Sequence, residues 1–305
     1  MKRDRSRRPV PDAFHALWFG QTISSVGTQV SMVALPLIAV LGLQVGPLEL
    51  GILAALETVP FLLLSLPAGV VIDRVDHRKM MIACDLGRAI ALLAASAAIP
   101  LGLLSIGLLY AVALAVGSMT VFFSVACASY LTAILPPERL VAGNQWLEIS
   151  DSGARVAGPS VGGAILAAAG AGAALSLDGL SYGVSAIAIA SSRRPTLTRR
   201  PTTMEPAITR GPGFLREMTD GLRVVWSDRI LRDLAGSTAV FNLGTGIVLA
   251  VVVLFATREV GVGAAEFGLI YGIGNIGFIV GAISVGFLSR RLGVGRTFLS
   301  SNYVG

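Results

Sequence analysis

The sequence predicts an all-α, polytopic membrane bundle of about eight complete transmembrane helices. Hydrophobic residues make up 54% of the 305-residue chain and charged residues only 14%, with a mean hydropathy of +0.75. A water-soluble protein of this length has too little interior to hide so much apolar surface. Apolar runs of about 20 residues recur along most of the chain, and that length spans a bilayer. Because backbone polar groups in lipid must pair within their own segment, these runs are helices.

The predicted spans follow one another with short connections. They cover residues 16–43, 49–72, 79–100, 104–131, 143–168, 171–190, 231–256 and 265–288. Residues 297–305 are too few for a further span. We therefore expect a six-helix bundle over residues 1–190, a linker over residues 191–230, and part of a second bundle over residues 231–305.

The linker differs in composition from its flanks. Residues 193–212 are basic and rich in proline, which is typical of a loose connection. Apolar residues then recur at helical spacing from Phe214 to Trp226, opposite charged residues. This pattern predicts an amphipathic helix on the membrane surface, and a solvated helix with ordinary ion pairs is the alternative.

The Lys and Arg residues predict the orientation in the cell membrane. They occupy the N-terminal tail, the turn from Arg74 to Lys79, Arg139, the linker and Arg290–Arg296, whereas Arg258 alone lies in the opposite set of connections. Because basic residues stay inside, we expect the N-terminus to be cytoplasmic. The first apolar run is long and has no clear small-residue cleavage site, so we expect the first span to be uncleaved. The net charge of +6 does not indicate nucleic acid, since no basic stripe alternates with aromatic residues.

Sequence signatures of enzymes and metal sites are missing. The sequence has no Walker A loop, no HExxH and no Cys/His cluster. Cys84 and Cys127 lie in apolar stretches and are expected to be buried, unpaired thiols. We therefore expect no cofactor, no metal and no enzymatic activity.

A short charged turn joins the second and third spans. It has the pattern Gly69-x-x-x-Asp73-Arg74-x-x-x-Arg78-Lys79, and residues 286–296 repeat it after the linker. The turn resembles the signature of the major facilitator superfamily, with Asp76 at the usual second glycine. The resemblance implies a cytoplasmic gate in which Asp73 accepts hydrogen bonds from a helix N-terminus and Arg78 joins a charge network. The alternative is that these charges only fix the topology.

The fifth span carries a second motif, which resembles the antiporter motif of exporters in this superfamily. Pro159 has no N–H, so the carbonyl of Arg155 loses its usual partner and the helix bends. Gly268, Gly272, Gly277 and Gly281 offer a smooth face on the eighth span, and we expect spans five and eight to pack together. Generic small-residue packing is the alternative. The motif residues are Gly153, Gly158, Pro159, Gly162 and Gly163.

Ionisable residues inside spans are candidates for substrate or proton binding. Asp151 and Glu148 share a face with Arg155, which predicts a buried ion pair or triad; binding and a structural lock remain equal interpretations. Asp85 and Arg88 form either a local pair or an extension of the gate network.

Other polar residues inside the spans complete the candidate set. Glu57, alone within the second span, suits a proton carrier, and Asp178 is a weaker candidate. Gln21 begins a polar stripe on the first span that is typical of a cavity wall, and Asn242 and Asn275 either face this cavity or bond between helices. The other members of the stripe are Ser24, Ser25, Thr28 and Gln29.

The chain as a whole resembles major facilitator exporters of drugs, macrolides and siderophores, the transmembrane secretion effectors. That family has about twelve helices in two bundles, so the resemblance implies that the chain lacks the C-terminal part. It also implies alternating access, in which inward protons drive a small amphipathic molecule out across the lipid bilayer. A non-transporting fragment and a membrane scaffold or sensor are the alternatives.

Overall fold

The computed structural model describes residues 12–192 and 251–275, together with isolated positions between 223 and 248. Helix α1 (Asp12–Leu37) continues into a π-helical turn at Ile38–Gly42. Three further helices follow: α2 (Pro47–Ile72), α3 (His77–Ala98) and α4 (Ile106–Ile134). The stretch Pro137–Ser191 forms α5 (137–169) and α6 (171–191). The described residues also include parts of α7 (251–254, with a π-helical turn at Phe255–Glu259) and α8 (264–275).

These helices have the length and composition of membrane spans. Within the described residues, five continuous helical stretches are long and apolar enough to cross a bilayer. The last stretch has 55 residues, or about 80 Å at 1.5 Å per residue, which is more than two bilayer crossings. It turns at Gly170, whose φ of 82° suits a residue without a Cβ. The expected break between residues 168 and 171 is therefore confirmed.

Local signals set the helix ends. Asp76 accepts a hydrogen bond from the Lys79 N–H at the start of α3, and Ser105 does the same for the Leu108 N–H at the start of α4, each at 3.2 Å. Helix α5 begins at Pro137, earlier than the predicted residue 143. The physical reason is that its first turns are polar but still helical, so the apolar run marks the lipid-facing part of the helix rather than its end.

The helices pack as a bundle in which α1 lies against α5 and α6, α2 against α4, and α3 against α4 and α6. Apolar side chains on the outer surface stay exposed, such as Leu62 on α2 at 78%. This outward-facing apolar surface is typical of a protein solvated by lipid.

Helix α5 makes two close backbone contacts on adjacent faces. A Cβ added at Gly162 would lie 2.9 Å from the Val30 Cα of α1, and Gly158 faces the same helix. A Cβ added at Gly163 would lie 2.9 Å from the Gly268 Cα of α8. The expected packing of spans five and eight is confirmed at Gly163, whereas the motif residues Gly158 and Gly162 face α1 instead.

The connections α1–α2 and α7–α8 repeat each other. Each contains a π-helical turn followed by a residue with positive φ, Gln44 (57°) in the first and Gly261 (74°) in the second. The two turns begin at residues 38 and 255, so the repeat length is 255 − 38 = 217 residues. The sequence repeat of Gly69 at Gly286 has the same spacing, 286 − 69 = 217.

Several expectations lie outside the described residues. They are the linker beyond Ser192, the amphipathic helix at 214–226 apart from isolated positions, Asn242, the repeated turn at 286–296, and Gly277 and Gly281.

The two glycines of α5 at residues 153 and 163 give a matched test of the packing. We expect Gly163→Ala to lower the melting temperature of the detergent-solubilised protein, because the new methyl group meets α8 backbone and overpacking costs about 1–3 kcal/mol. Gly153→Ala is the control, since nothing lies within 4 Å of a Cβ there. Equal melting temperatures for the two variants would contradict the packing of α5 on α8.

Candidate transport site

A cleft of about 600 Å³ opens between α1, α4 and α5. It lies toward the end of the bundle that carries the Gly69–Lys79 turn, which we call the turn face. Its wall mixes apolar, amide and carboxylate groups, and Gln21 Oε1 is buried there without a hydrogen bond within the described part of the chain. Such a wall suits a molecule with both apolar and polar parts. The lining residues are Gln21, Ser25, Cys127, Val141, Asn144, Gln145, Leu147, Glu148 and Asp151.

An ion pair on α5 stands at the edge of the cleft. Arg155 Nη2 lies 2.7 Å from Asp151 Oδ2, and Arg155 Nε donates to the same oxygen at 2.8 Å. The predicted pair is confirmed, but the predicted burial is wrong, because the Arg155 side chain is 59% exposed. Glu148 is exposed and forms no ion pair in the described structure. The pair therefore faces open space beside the cleft, where its charges stay partly solvated.

A hydrogen bond from α8 satisfies the α5 carbonyl that Pro159 leaves without a donor. Asn275 Nδ2 donates to the Arg155 carbonyl oxygen at 2.9 Å. This is the carbonyl that Pro159 leaves without an intrahelical donor. Ser160 Oγ also donates to the Gly268 carbonyl at 3.4 Å. Of the two interpretations of Asn275, the structure supports the bond between helices.

At the opposite face, the α7–α8 hairpin closes against the first helices. Arg258 Nη2 donates to the Val45 carbonyl in the α1–α2 connection at 2.6 Å. Val253 and Phe267 are 1% and 5% exposed within one apolar cluster that also includes residues of α1. The described parts of α7 and α8 therefore pack against the first helices at this face, while the cleft lies nearer the turn face.

The candidate gate residues lie at the turn face. Asp73 is exposed, and a Cβ added at Gly69 would have no neighbour within 4 Å. Arg78 donates to the carbonyls of Ile189, Ala190 and Ser192 at 2.7–3.1 Å. Its guanidinium therefore caps the C-terminus of α6. The resemblance had implied instead that Arg78 joins a charge network. The partner carbonyls are backbone groups far along the chain, so no side-chain pattern in the sequence indicated them.

Asp85 and Arg88 do not extend the gate. Arg88 is 88 − 78 = 10 residues beyond Arg78, or about 15 Å along α3. It forms a buried ion pair with Asp85, and its guanidinium lies over the rings of Phe123 and Tyr182, 4.5 Å and 4.1 Å from their centroids. The local-pair interpretation is therefore the one that the structure supports.

Glu57 lies apart from the other candidates. Its side chain is half-buried on α2 and has no hydrogen bond or ion pair in the described parts of the chain. Arg155 pairs with Asp151 instead, so Glu57 and Arg155 are not brought together. The polar stripe of α1 also divides: Gln21 and Ser25 line the cleft, whereas Thr28 shares a hydrogen bond with Tyr182.

Sequence reasoning missed Tyr182 and the role of Arg258. Tyr182 is 1% exposed, shares a 2.8 Å hydrogen bond with Thr28 and stacks on Arg88. An aromatic residue inside a span has no distinguishing local pattern. Arg258 carried a signal, since it is the one basic residue expected at its side of the membrane.

The repeated hairpins, the α5–α8 contact and the cleft beside it are features of a membrane protein with the major facilitator fold. The chain belongs to the transmembrane secretion effector family, whose model matches residues 9–304. This family and the solved structures that resemble the chain are membrane transporters, not enzymes.

Relatives and solved structures agree with this assignment. Macrolide efflux protein A of Streptococcus pyogenes is 25% identical over 238 residues, which cover 76% of this chain and 54% of that protein. The chain therefore spans about half the length of the curated relatives that it matches. The same protein from Streptococcus pyogenes serotype M6 matches equally.

Two solved structures share the fold. A bacterial homologue of the human lysosomal transporter Spinster, inward-facing and unoccupied, has a TM-score of 0.68 at 19% identity, over 95% of this chain and 64% of that one. A bacterial homologue of the iron transporter ferroportin, inward-facing, has a TM-score of 0.57 at 19% identity, over 93% and 70%.

A double-mutant cycle tests the hydrogen bond from Asn275 to the Arg155 carbonyl. We expect Asn275→Ala to destabilise the native protein by about 1 kcal/mol, because the Arg155 carbonyl loses its donor. In a Pro159→Ala background the new N–H of residue 159 reaches the same carbonyl, so the cost of Asn275→Ala should fall. The measurement is the melting temperature of the four proteins in detergent. Purely additive shifts would mean that Asn275 does not serve this carbonyl.

Proposed function

We propose that this protein works as a proton-coupled exporter, moving a small amphipathic molecule out of the cell by alternating access. The observation that carries the proposal is the combination of a closed opposite face with a cleft near the turn face. The Arg258–Val45 hydrogen bond and the buried Phe267 close the opposite face. Side chains of α1, α4 and α5 form the wall of the cleft near the turn face. A binding site open to one side at a time is what alternating access requires.

The orientation follows from the basic residues. Arg74, Arg78 and Lys79 lie at the turn face, with Arg139 at the start of α5 on the same side. With basic residues inside, the turn face is cytoplasmic, the N-terminus lies in the cytoplasm, and this conformation is inward-facing in the cell membrane. Residues 1–190 then form the first bundle, residues 191–230 the cytoplasmic linker, and residues 231–305 part of the second bundle.

The chemistry of the cleft supports a cationic amphipathic substrate. Glu148 offers an unpaired carboxylate, Gln21 and Asn144 offer amides, and Val141 and Leu147 offer apolar contacts. Macrolides are the substrate class in the name of the Streptococcus pyogenes relative. A macrolide has a large, mostly apolar ring, and many macrolides carry an amino sugar. We propose a macrolide-like amine as the substrate class.

The candidate residues take these roles in the proposal. Asp151 and Arg155 bind substrate or couple it to protons, and Glu57 is a second candidate for proton coupling. Asp73, Arg74 and Lys79 form the cytoplasmic gate with Gly69, while Arg78 secures the turn by capping α6.

Efflux from cells tests the proposal. Cells without macrolide efflux of their own would express the full chain, and accumulation of erythromycin, a macrolide with an amino sugar, would be measured. We expect expression to lower accumulation and a protonophore to abolish the difference. Arg155→Ala should raise accumulation to the empty-vector level, because the Asp151 carboxylate loses its partner, and Glu57→Gln should do so if it carries the proton.

Glu138→Gln is the matched control, since Glu138 is exposed in the first turn of α5. It should export like the native chain. Undiminished export by both Arg155→Ala and Glu57→Gln at normal expression would remove these residues from the coupling region. No export of erythromycin by the native chain would contradict the proposed substrate class.

A further inference from the structure

A cluster of ionisable side chains lies inside the first six helices, away from the cleft. It consists of Asp85 and Arg88 on α3 and Asp178 on α6, and these residues are 0%, 4% and 1% exposed. The Arg88 guanidinium is an electrostatic neighbour of both carboxyl groups. All three lie within membrane-spanning helices, where a charge persists only with a partner or a function.

Arg88 is fixed on one side of the cluster. It pairs directly with Asp85, donates to Thr120 Oγ1 at 3.4 Å, and lies between the rings of Phe123 and Tyr182. The buried hydroxyl group of Ser185 on α6 lies beside the same Asp85 carboxyl group. The guanidinium therefore pairs with Asp85, and Asp178 forms no ion pair with any residue in the described ranges.

The charges of the cluster do not balance. Helix α1 contributes Gly27, Thr28 and Ser31 beside it, and none of them is ionisable. Among the residues that the structure describes, the other titratable neighbours are thiols and a phenol, which are neutral at physiological pH. Two carboxylates against one guanidinium would leave an uncompensated negative charge in the membrane interior, which is costly. These neutral neighbours are Cys84, Cys127 and Tyr182.

We propose that Asp178 is a proton-binding site of this protein, beside the neutral Asp85–Arg88 ion pair. With the proton bound, an Asp178 oxygen carries the hydrogen and the cluster is neutral overall. On release, that O–H bond breaks, the proton passes to water, and the carboxylate takes hydrogen bonds from hydroxyl groups nearby. Ser181 Oγ already donates to Asp178 Oδ1 at 3.3 Å. Ser31 on α1 places a buried hydroxyl group beside the same carboxyl group.

The site is connected to the cleft through α1. A Cβ added at Gly27 would lie 2.6 Å from Asp178 Oδ1, so the carboxyl group abuts the α1 backbone. Tyr182, stacked on Arg88, shares its hydroxyl hydrogen bond with the exposed Thr28. Seven residues earlier on α1, about 10 Å away, Gln21 lines the cleft. A change in protonation beside Gly27 therefore acts on the helix that forms part of the cleft wall.

The role in transport rests on the proposed exchange of protons for substrate, but proton binding can be measured without transport. The full chain in phosphatidylcholine vesicles would be examined by infrared difference spectroscopy between two pH values. The native chain should show a pH-dependent C=O band of a buried carboxyl group. Asp178→Asn should lose this band, Asp178→Glu should shift it, and the exposed control Glu138→Gln should keep it.

Absence of a pH-dependent carboxyl band in the native chain, or a native spectrum from Asp178→Asn, would overturn the assignment. If Asp178→Asn fails to fold, an unshifted band in Asp178→Glu overturns it equally. Transport supplies the second measurement, with erythromycin in the same vesicles. Asp178→Asn should keep exchange at equal pH and lose accumulation driven by a pH gradient. No transport by the native chain would contradict the proposed function and leave the infrared result to decide on the proton site.

Discussion

The close contact of the α5 backbone with two other helices is the constraint on which the rest of the structure depends. Glycines on adjacent faces of α5 allow close backbone contact with α1 at Val30 and with α8 at Gly268. In lipid there is no hydrophobic drive between apolar helices, so packing and hydrogen bonds must hold them together. Because α5 touches both halves of the chain, its glycine faces decide where the halves meet and where the cleft opens.

Proline makes the same helix dependent on its neighbour. Pro159 frees the Arg155 carbonyl, and Asn275 from α8 satisfies it at 2.9 Å. The Arg155 side chain, paired with Asp151, faces the cleft edge. Arg155 thus connects the contact between the two halves with the proposed binding region. Movement of α8 on α5 would therefore be transmitted to the cleft wall through α5.

Most of the fold was predictable from the sequence, because bilayer thickness fixes helix length and lipid enforces helical backbone. The break near residue 170 followed from the lengths of the apolar runs, and the packing of spans five and eight followed from glycine spacing. The contacts that depend on the rotation of a helix about its axis, and on the burial of individual side chains, could not be predicted from the sequence. Gly158 faces α1 and Arg155 is exposed, because hydropathy alone gives neither the rotation of a helix nor the side of it that another helix covers. Likewise, Arg78 binds backbone carbonyls that no sequence pattern marks.

A disulfide between α5 and α8 tests the contact between the halves most directly. A Cβ placed at Gly272 lies 3.5 Å from the Ser160 Cβ, within the range of about 3.5–4.5 Å found in disulfides. With Cys84 and Cys127 replaced by alanine, Ser160→Cys with Gly272→Cys should form a linked peptide on mild oxidation in membranes, detected by mass spectrometry. Val161→Cys with Gly272→Cys should not, since Val161 is 41% exposed on another side of α5. No link in the first pair, or equal links in both, would contradict this arrangement of the two halves.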